Sequence, residues 1–179
     1  MREWPRSRKT DSRNQTTDRD PGTEKRQKSA RDQALTLLEY ADRTEQELGR
    51  KLADRGYSRE EIQNTIQFLL EYRYLDDRAY AQRYVRSRGQ RKSCRQLRAE
   101  LEQKGIAGDL IEAALEEEPV DEEAQIRRFL EKKGYYSQED RDSRYLCRIA
   151  GALARKGFSY EQIRKVMGQP EQCNSSDTP

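Results

Sequence analysis

The sequence predicts an all-α fold: three tandem three-helix, helix-turn-helix-like repeats forming an elongated, curved body. The first observation behind this is a pattern that occurs three times: apolar-x3-apolar-x3-Gly-apolar-x4-apolar-x3-apolar. Its copies are Leu48, Leu52, Gly56, Tyr57, Ile62, Ile66; Leu97, Leu101, Gly105, Ile106, Ile111, Leu115; and Ile149, Leu153, Gly157, Phe158, Ile163, Met167. The second is the even spacing of the copies, with glycines 49 and 52 residues apart. A spacing of four puts side chains on one helical face, and Gly followed by an apolar residue is a helix C-cap with its hydrophobic contact. The third is the lack of alternating apolar runs and Asn-Gly hairpin signals, which leaves strands no place. A unit of ~45 residues buries too little core to stand alone, so neighbouring units must lean on one another.

The elements follow in order. A first helix runs from about Ala30 to Ala41, with Leu35 and Leu38 on one side. A second carries Leu48 and Leu52 up to Gly56. The third opens on Ser58-x-x-Glu61, a capping box, and carries Ile62 and Ile66. Asp76-Asp77 then supplies a cap and negative charge where a helix dipole favours it. The fourth helix has Tyr80, Ala81, Tyr84 and Val85 as its apolar stripe, which makes core packing the expected use of these tyrosines over base stacking. The fifth carries Cys94, Leu97 and Leu101. The sixth follows Gly105, where Ala107 stands in the cap position and Gly108 or Asp109 is expected to cap instead. Pro119 marks a junction, and a seventh helix covers about Glu122 to Lys133 with Ala124, Ile126, Phe129 and Leu130. Gly134 to Gln138 is an insertion. The eighth helix carries Ile149 and Leu153, and the ninth opens on a second capping box, Ser159-x-x-Gln162. The expected domains are therefore a leader at 1–29, repeats at 30–74, 75–118 and 119–168, and a tail at 169–179.

Composition narrows the function. Apolar residues make up 32% and charged residues 39% of the 179. Residues 1–29 hold nine Lys/Arg and five Asp/Glu but almost no aliphatic side chains, so the leader is expected to be disordered, as is the tail. Residues 30–168 are nearly neutral, with 27 basic and 26 acidic groups. The chain has no histidine, which removes the commonest general base and metal ligand. No phosphate-cradling GxGxxG or GxxxxGK occurs among the glycines. Cys94, Cys147 and Cys173 are widely spaced, without a CxxC, so reduced thiols are expected rather than zinc ligands or disulfides. These features predict no catalytic residue, no metal site and no cofactor. No apolar run approaches a membrane span, and the leader lacks the apolar middle of a secretory signal; a soluble, cytoplasmic monomer is expected.

The surface offers one sharp feature. From Arg83 to Arg98 there are seven cations and no carboxylate: Arg83, Arg86, Arg88, Arg91, Lys92, Arg95 and Arg98. From Glu100 to Glu123 there are ten acids and one base, Lys104. Arg91, Arg95 and Arg98 follow helical spacing. A like-charged block repels itself and suits phosphates or an acidic protein surface, so these seven are the candidate partner- or nucleic-acid-binding residues. The alternative, a solvated face balanced by acids nearby in space, stays open.

Three segments carry a family resemblance: Tyr74-Leu75-Asp76-Asp77-x-x-Tyr80-Ala81; Leu97-x3-Leu101-x2-Lys104-Gly105-Ile106 with Ile111 and Ala114-Leu115; and Arg155-Lys156-Gly157-Phe158-Ser159-x3-Ile163. From about Ala34 to Met167 the chain resembles the RecX family of recombinase regulators. The resemblance implies a non-enzymatic protein lying in the groove of the RecA–single-stranded-DNA filament. There it would limit filament growth and suppress ATP hydrolysis and strand exchange, and so restrain recombinational repair and the SOS response. The RecA filament is then the partner, with single-stranded DNA contacted weakly or indirectly. The rival is a helix-turn-helix transcriptional regulator reading duplex DNA. Against it stand Glu60 and Glu61, and Asp109 and Glu112, on the helices that would enter the groove.

Overall fold

The computed structural model describes residues 28–137 and 142–168. Among them are nine α-helices and no strand: α1 (Ala30–Tyr40), α2 (Glu45–Ala53), α3 (Arg59–Glu71), α4 (Asp77–Arg88), α5 (Cys94–Gln103), α6 (Gly108–Glu117), α7 (Glu122–Lys132), α8 (Ser143–Arg155) and α9 (Tyr160–Met167). The leader up to residue 27 and the tail from 169, with Trp4 and Cys173, lie outside the described residues.

Local sequence explains most of the boundaries. Thr44, Ser58 and Ser159 form full capping boxes with Glu47, Glu61 and Gln162. Asp76 accepts from the Ala79 amide as the α4 cap. Gly56, Gly105 and Gly157 stand at φ +85°, +83° and +89°, the left-handed region that favours glycine. At each, the next residue's N–H bonds back five positions, Tyr57 to Leu52, Ile106 to Leu101 and Phe158 to Leu153, in the Schellman pattern. The expected cap after Gly105 is corrected: α6 begins at Gly108 with Ala107 as N-cap, and no side chain bonds its first turn. Helical geometry reaches back past Asp109 because Ala107 is already extended, whether or not it has a side chain to offer.

The helices close three hydrophobic cores. Ala34, Leu37, Leu48, Leu52, Leu69 and Leu75 form the first. Ala81, Val85, Leu97, Leu101, Ile106, Ile111 and Ala114 form the second, with Tyr80 and Tyr84 packed on its edge. Ile126, Leu130, Ile149, Leu153, Phe158, Ile163 and Met167 form the third. Each fully buried Leu or Ile contributes roughly 1.5–3 kcal/mol relative to exposure. The insertion after α7 is a plug: Tyr135 is buried in the third core and its hydroxyl donates to the Met167 carbonyl at 2.9 Å. Cys94 is a free, half-buried thiol. Cys147 departs from the expectation of a reduced thiol and is disulfide-bonded; such a bond depends on distance in space, which sequence spacing does not reveal.

The cores are joined by two junctions of the same construction. The Thr44 hydroxyl donates to the Lys104 carbonyl at 2.5 Å, and the Ser93 hydroxyl to the Lys156 carbonyl at 2.8 Å. Both hydroxyls also accept from an amide in their own first turn. The next N–H completes the match: Glu45 N donates to Asp77 Oδ1, and Cys94 N to Glu122 Oε1. Thus α2 starts where α5 ends, and α5 starts where α8 ends. Thr44 and Ser93 are fully buried, and each hydroxyl is satisfied in both roles.

Candidate nucleic-acid and protein interface

The basic block lies on the end of α4, the turn after it, and the start of α5. Arg91 belongs to the turn, before α5, so it does not share the helical register expected with Arg95 and Arg98. Gly89, Arg91 and Lys92 close that turn by backbone bonds to Val85 and Arg88.

Folding returns carboxylates to four of the seven cations. The Arg83 guanidinium meets Asp42 at 3.0 Å. Arg86 bonds Glu118, with Nε donating at 3.0 Å. Lys92 pairs with Glu100. Arg98 grips Glu112 with two parallel bonds of 2.6 and 2.8 Å. The acidic block therefore serves the basic one, because α6 packs against both α4 and α5. Arg78 and Gln82 on the same face of α4 bond Glu117 in the same way. The arginines Arg86 and Arg98 hold Glu118 and Glu112 below their ordinary pKa.

Arg88, Arg91 and Arg95 remain exposed and make no ion pair with any described residue. Arg88 rests over the Tyr84 ring, 5.8 Å from its centroid. Beneath them sits a buried-edge network: Tyr84 Oη donates to Glu100 at 2.6 Å, and Lys92 bonds the same carboxylate. Burial first, and the Glu100 bond second, push the Tyr84 hydroxyl up to about 12. This ring is thus fixed on the core edge and holds the turn in place. Beside the turn, a depression of about 240 Å³ is lined by Arg86, Gln90 and Arg128 together with Glu118 and Asp121. Gln125 crosses this junction and donates to the Gly89 carbonyl at 2.7 Å.

Two features escaped the reading of the sequence. Asp42, which neutralises Arg83, precedes it by 41 residues and carries no local signal. The stretch 143–160 contains Arg144, Arg148, Arg155 and Lys156 and no acid; a count of acid-free windows would have found it. Among the described residues, no cluster of Cys, Asp and Glu is arranged to hold a metal. No described helix is long and apolar enough to cross a membrane.

Comparison with known proteins agrees with this arrangement. Residues 30–69 match the family model described as RecX, first three-helix domain, and residues 76–115 match RecX, second three-helix domain. Regulatory protein RecX of Vibrio vulnificus (strain CMCP6) is 32% identical over 140 residues, covering 78% of this chain and 91% of that one. Regulatory protein RecX of Geobacillus kaustophilus (strain HTA426) is 37% identical over 145 residues; the match spans 78% of this chain and about half, 53%, of that longer protein. The crystal structure of RecX from Lactobacillus salivarius superposes with a TM-score of 0.66 at 26% identity, over 77% of this chain and 92% of that one. With both three-helix domains matched and a relative covered almost end to end, the chain belongs to the RecX family of regulatory proteins.

Proposed function

We propose that this protein is a non-enzymatic regulator that binds a RecA-type recombinase filament on single-stranded DNA and restrains its growth, ATP hydrolysis and strand exchange. It would thereby limit recombinational repair and the SOS response in the cytoplasm. Its three helical groups act as three tandem repeats in an elongated, curved body that bridges neighbouring recombinase protomers. The observation that carries this reading is the family membership, joined to a chain-specific one: among the described residues, three arginines at and beside one turn make no ion pair. Arg88, Arg91 and Arg95 are the residues of the basic block with charge left for a partner. Arg83, Arg86, Lys92 and Arg98 act as their support, fixed to acids of the same chain. The duplex-reading alternative gains no support from the surface: Glu60 and Glu61 occupy the first turn of α3, and Asp109 that of α6.

The test is the DNA-stimulated ATPase of a recombinase filament, titrated with this protein. Inhibition at amounts well below one per recombinase protomer is expected, since an elongated body spans several protomers. A requirement for a full equivalent, or no inhibition at all, overturns the proposal.

A further inference from the structure

The third group carries a second basic surface that shares no residue with the seven of the α4–α5 block. A pocket of about 230 Å³ opens between α7 and α8, and Phe129, Tyr145, Lys133, Arg148 and Arg155 line it. No carboxylate of the described residues does. Lys133, Arg148, Arg155 and the neighbouring Lys156 are all exposed, and none has a carboxylate partner among the described residues. The cations sit instead on rings. Lys133 and Lys156 each place an ammonium 5.9 Å from the Phe129 centroid, and the Arg148 guanidinium lies 5.4 Å from that of Tyr145. Two ammonium groups over one half-buried ring, with no acid paired to either among the described residues, repel each other at a cost that an anion in the pocket removes.

Helix α8 presents these cations along one line. Arg144, Arg148 and Arg155 fall within about 40° of one another at 100° per residue, with Gly151 between them. The Arg155 guanidinium folds back along the helix over Gly151, with Nη1 at ordinary contact distance, 3.6 Å, from where a Cβ would be. The pocket is also joined to the first cluster. Lys156 is held to Ser93 through its carbonyl, and a Cβ on Gly157 would lie 3.3 Å from that of Arg95. Arg95 thus meets the end of α8 that carries Arg155 and Lys156.

We propose that the α7–α8 pocket is a nucleotide site for single-stranded nucleic acid, with one base against the Phe129 ring and the flanking phosphates on Lys133, Lys156, Arg148 and Arg155. Rings flanked by cations are what an unpaired strand needs, because a base supplies a planar face and each phosphate a charge. A duplex keeps its bases stacked inside and would leave the ring unused. An acidic peptide would use the cations and leave the ring unused too. On binding, the ammonium groups move from the ring face to phosphates, and the base takes the face they vacate.

The site stands apart from the recombinase reading, so its test contains no recombinase. Fluorescence anisotropy of the full chain would compare an oligothymidylate, an abasic oligomer of equal length, and poly-glutamate. The oligothymidylate is expected to bind more tightly than the other two. R148Q/R155Q removes two surface charges without touching a core, and should flatten the slope of log affinity against log salt by roughly 1.4, about 0.7 for each lost phosphate contact. F129L keeps an apolar side chain in the core edge and removes the ring. It should weaken oligothymidylate binding roughly five- to hundredfold, the range for stacking of one base, and leave abasic binding unchanged. Equal affinity for the abasic oligomer, equal affinity for poly-glutamate, or an unaltered salt slope in R148Q/R155Q would each overturn the proposal.

Discussion

Gly56 and Gly105 are the same residue in the same turn, with φ of +85° and +83°, yet their surroundings differ. Around Gly56 no atom lies within 4 Å of where a Cβ would be. At Gly105 that Cβ would overlap the Cβ of Gln46 and lie 2.5 Å from its Cδ, because α2 of the first group begins there. Both G56A and G105A should lose ~1–2 kcal/mol to the left-handed backbone. G105A should lose more, since the junction must also open, and urea midpoints would show it; equal losses would mean that the junction contributes no close packing. Glu100 offers a second residue-scale test. Burial works against its ionised form, but the bonds from Lys92 and Tyr84 outweigh it and hold the carboxyl below its ordinary 4.5. The unfolded chain therefore binds this proton more readily than the folded one. The stability from this network is complete above that ordinary value and lost as pH falls through the lowered folded one. E100Q should flatten the acid limb of stability below about pH 5, measured as unfolding midpoint against pH; parallel limbs would contradict the assignment.

Helix α6 is the element whose start is least secured. Every other helix has a side chain that accepts from its first turn, whereas Ala107 offers none. Its backbone, at φ −65° and ψ 144°, is already that of an N-cap. A107S therefore adds a hydroxyl acceptor without moving the chain and should stabilise the protein by about 1 kcal/mol. A thermal midpoint that stays the same or falls would show that this end is restrained by something other than its cap. The capping boxes at Ser58 and Ser159, the three glycine turns and most of the apolar stripes were legible in sequence because each depends on residues within six positions. Thr44 and Ser93 cap α2 and α5 through equally local bonds, though the sequence reading did not single them out. Their second role, donation to carbonyls 60 and 63 residues away, was not.

For the molecule as a whole, the charges decide what a partner meets. R88E/R91E/R95E reverses the three arginines of the block that make no ion pair with a described residue, and should abolish or strongly weaken filament inhibition with little change in the unfolding midpoint. R83E/R86E/R98E breaks three internal pairs and sets like charges against Asp42, Glu118 and Glu112, and should do the reverse, lowering the unfolding midpoint while inhibition persists. Wild-type inhibition by a folded R88E/R91E/R95E protein would remove the α4–α5 turn from the interface. The boundary of the folded body is testable too. Lys28 accepts from the Tyr57 hydroxyl at 2.6 Å, and Ser29 caps α1. A chain starting at Lys28 should keep the full unfolding midpoint, and one starting at Ala30 should lose ~1–2 kcal/mol. Equal midpoints for both starts would show that the cap and this bond add nothing.

By itself the sequence determined the all-helical class, the nine helices of the described residues with their turns, much of the second and third cores and the family; in the first group it placed Leu35, Leu38, Ile62 and Ile66 inward, where packing buries Ala34, Leu37 and Leu69 and leaves those four at the edge. What was legible follows from spacings of three, four and six residues, where side chain and backbone meet within one or two turns. Only the tertiary structure decided which cations remain for a partner. Coulomb pairing follows distance in space, and the deciding carboxylates, Asp42, Glu112 and Glu118, come from other helices of the packed body. For the same reason the interlocked helix ends and the ring-and-cation pocket between α7 and α8 exist only after packing. A single sequence prints which residues are charged, and the fold sets which of those charges are already spent.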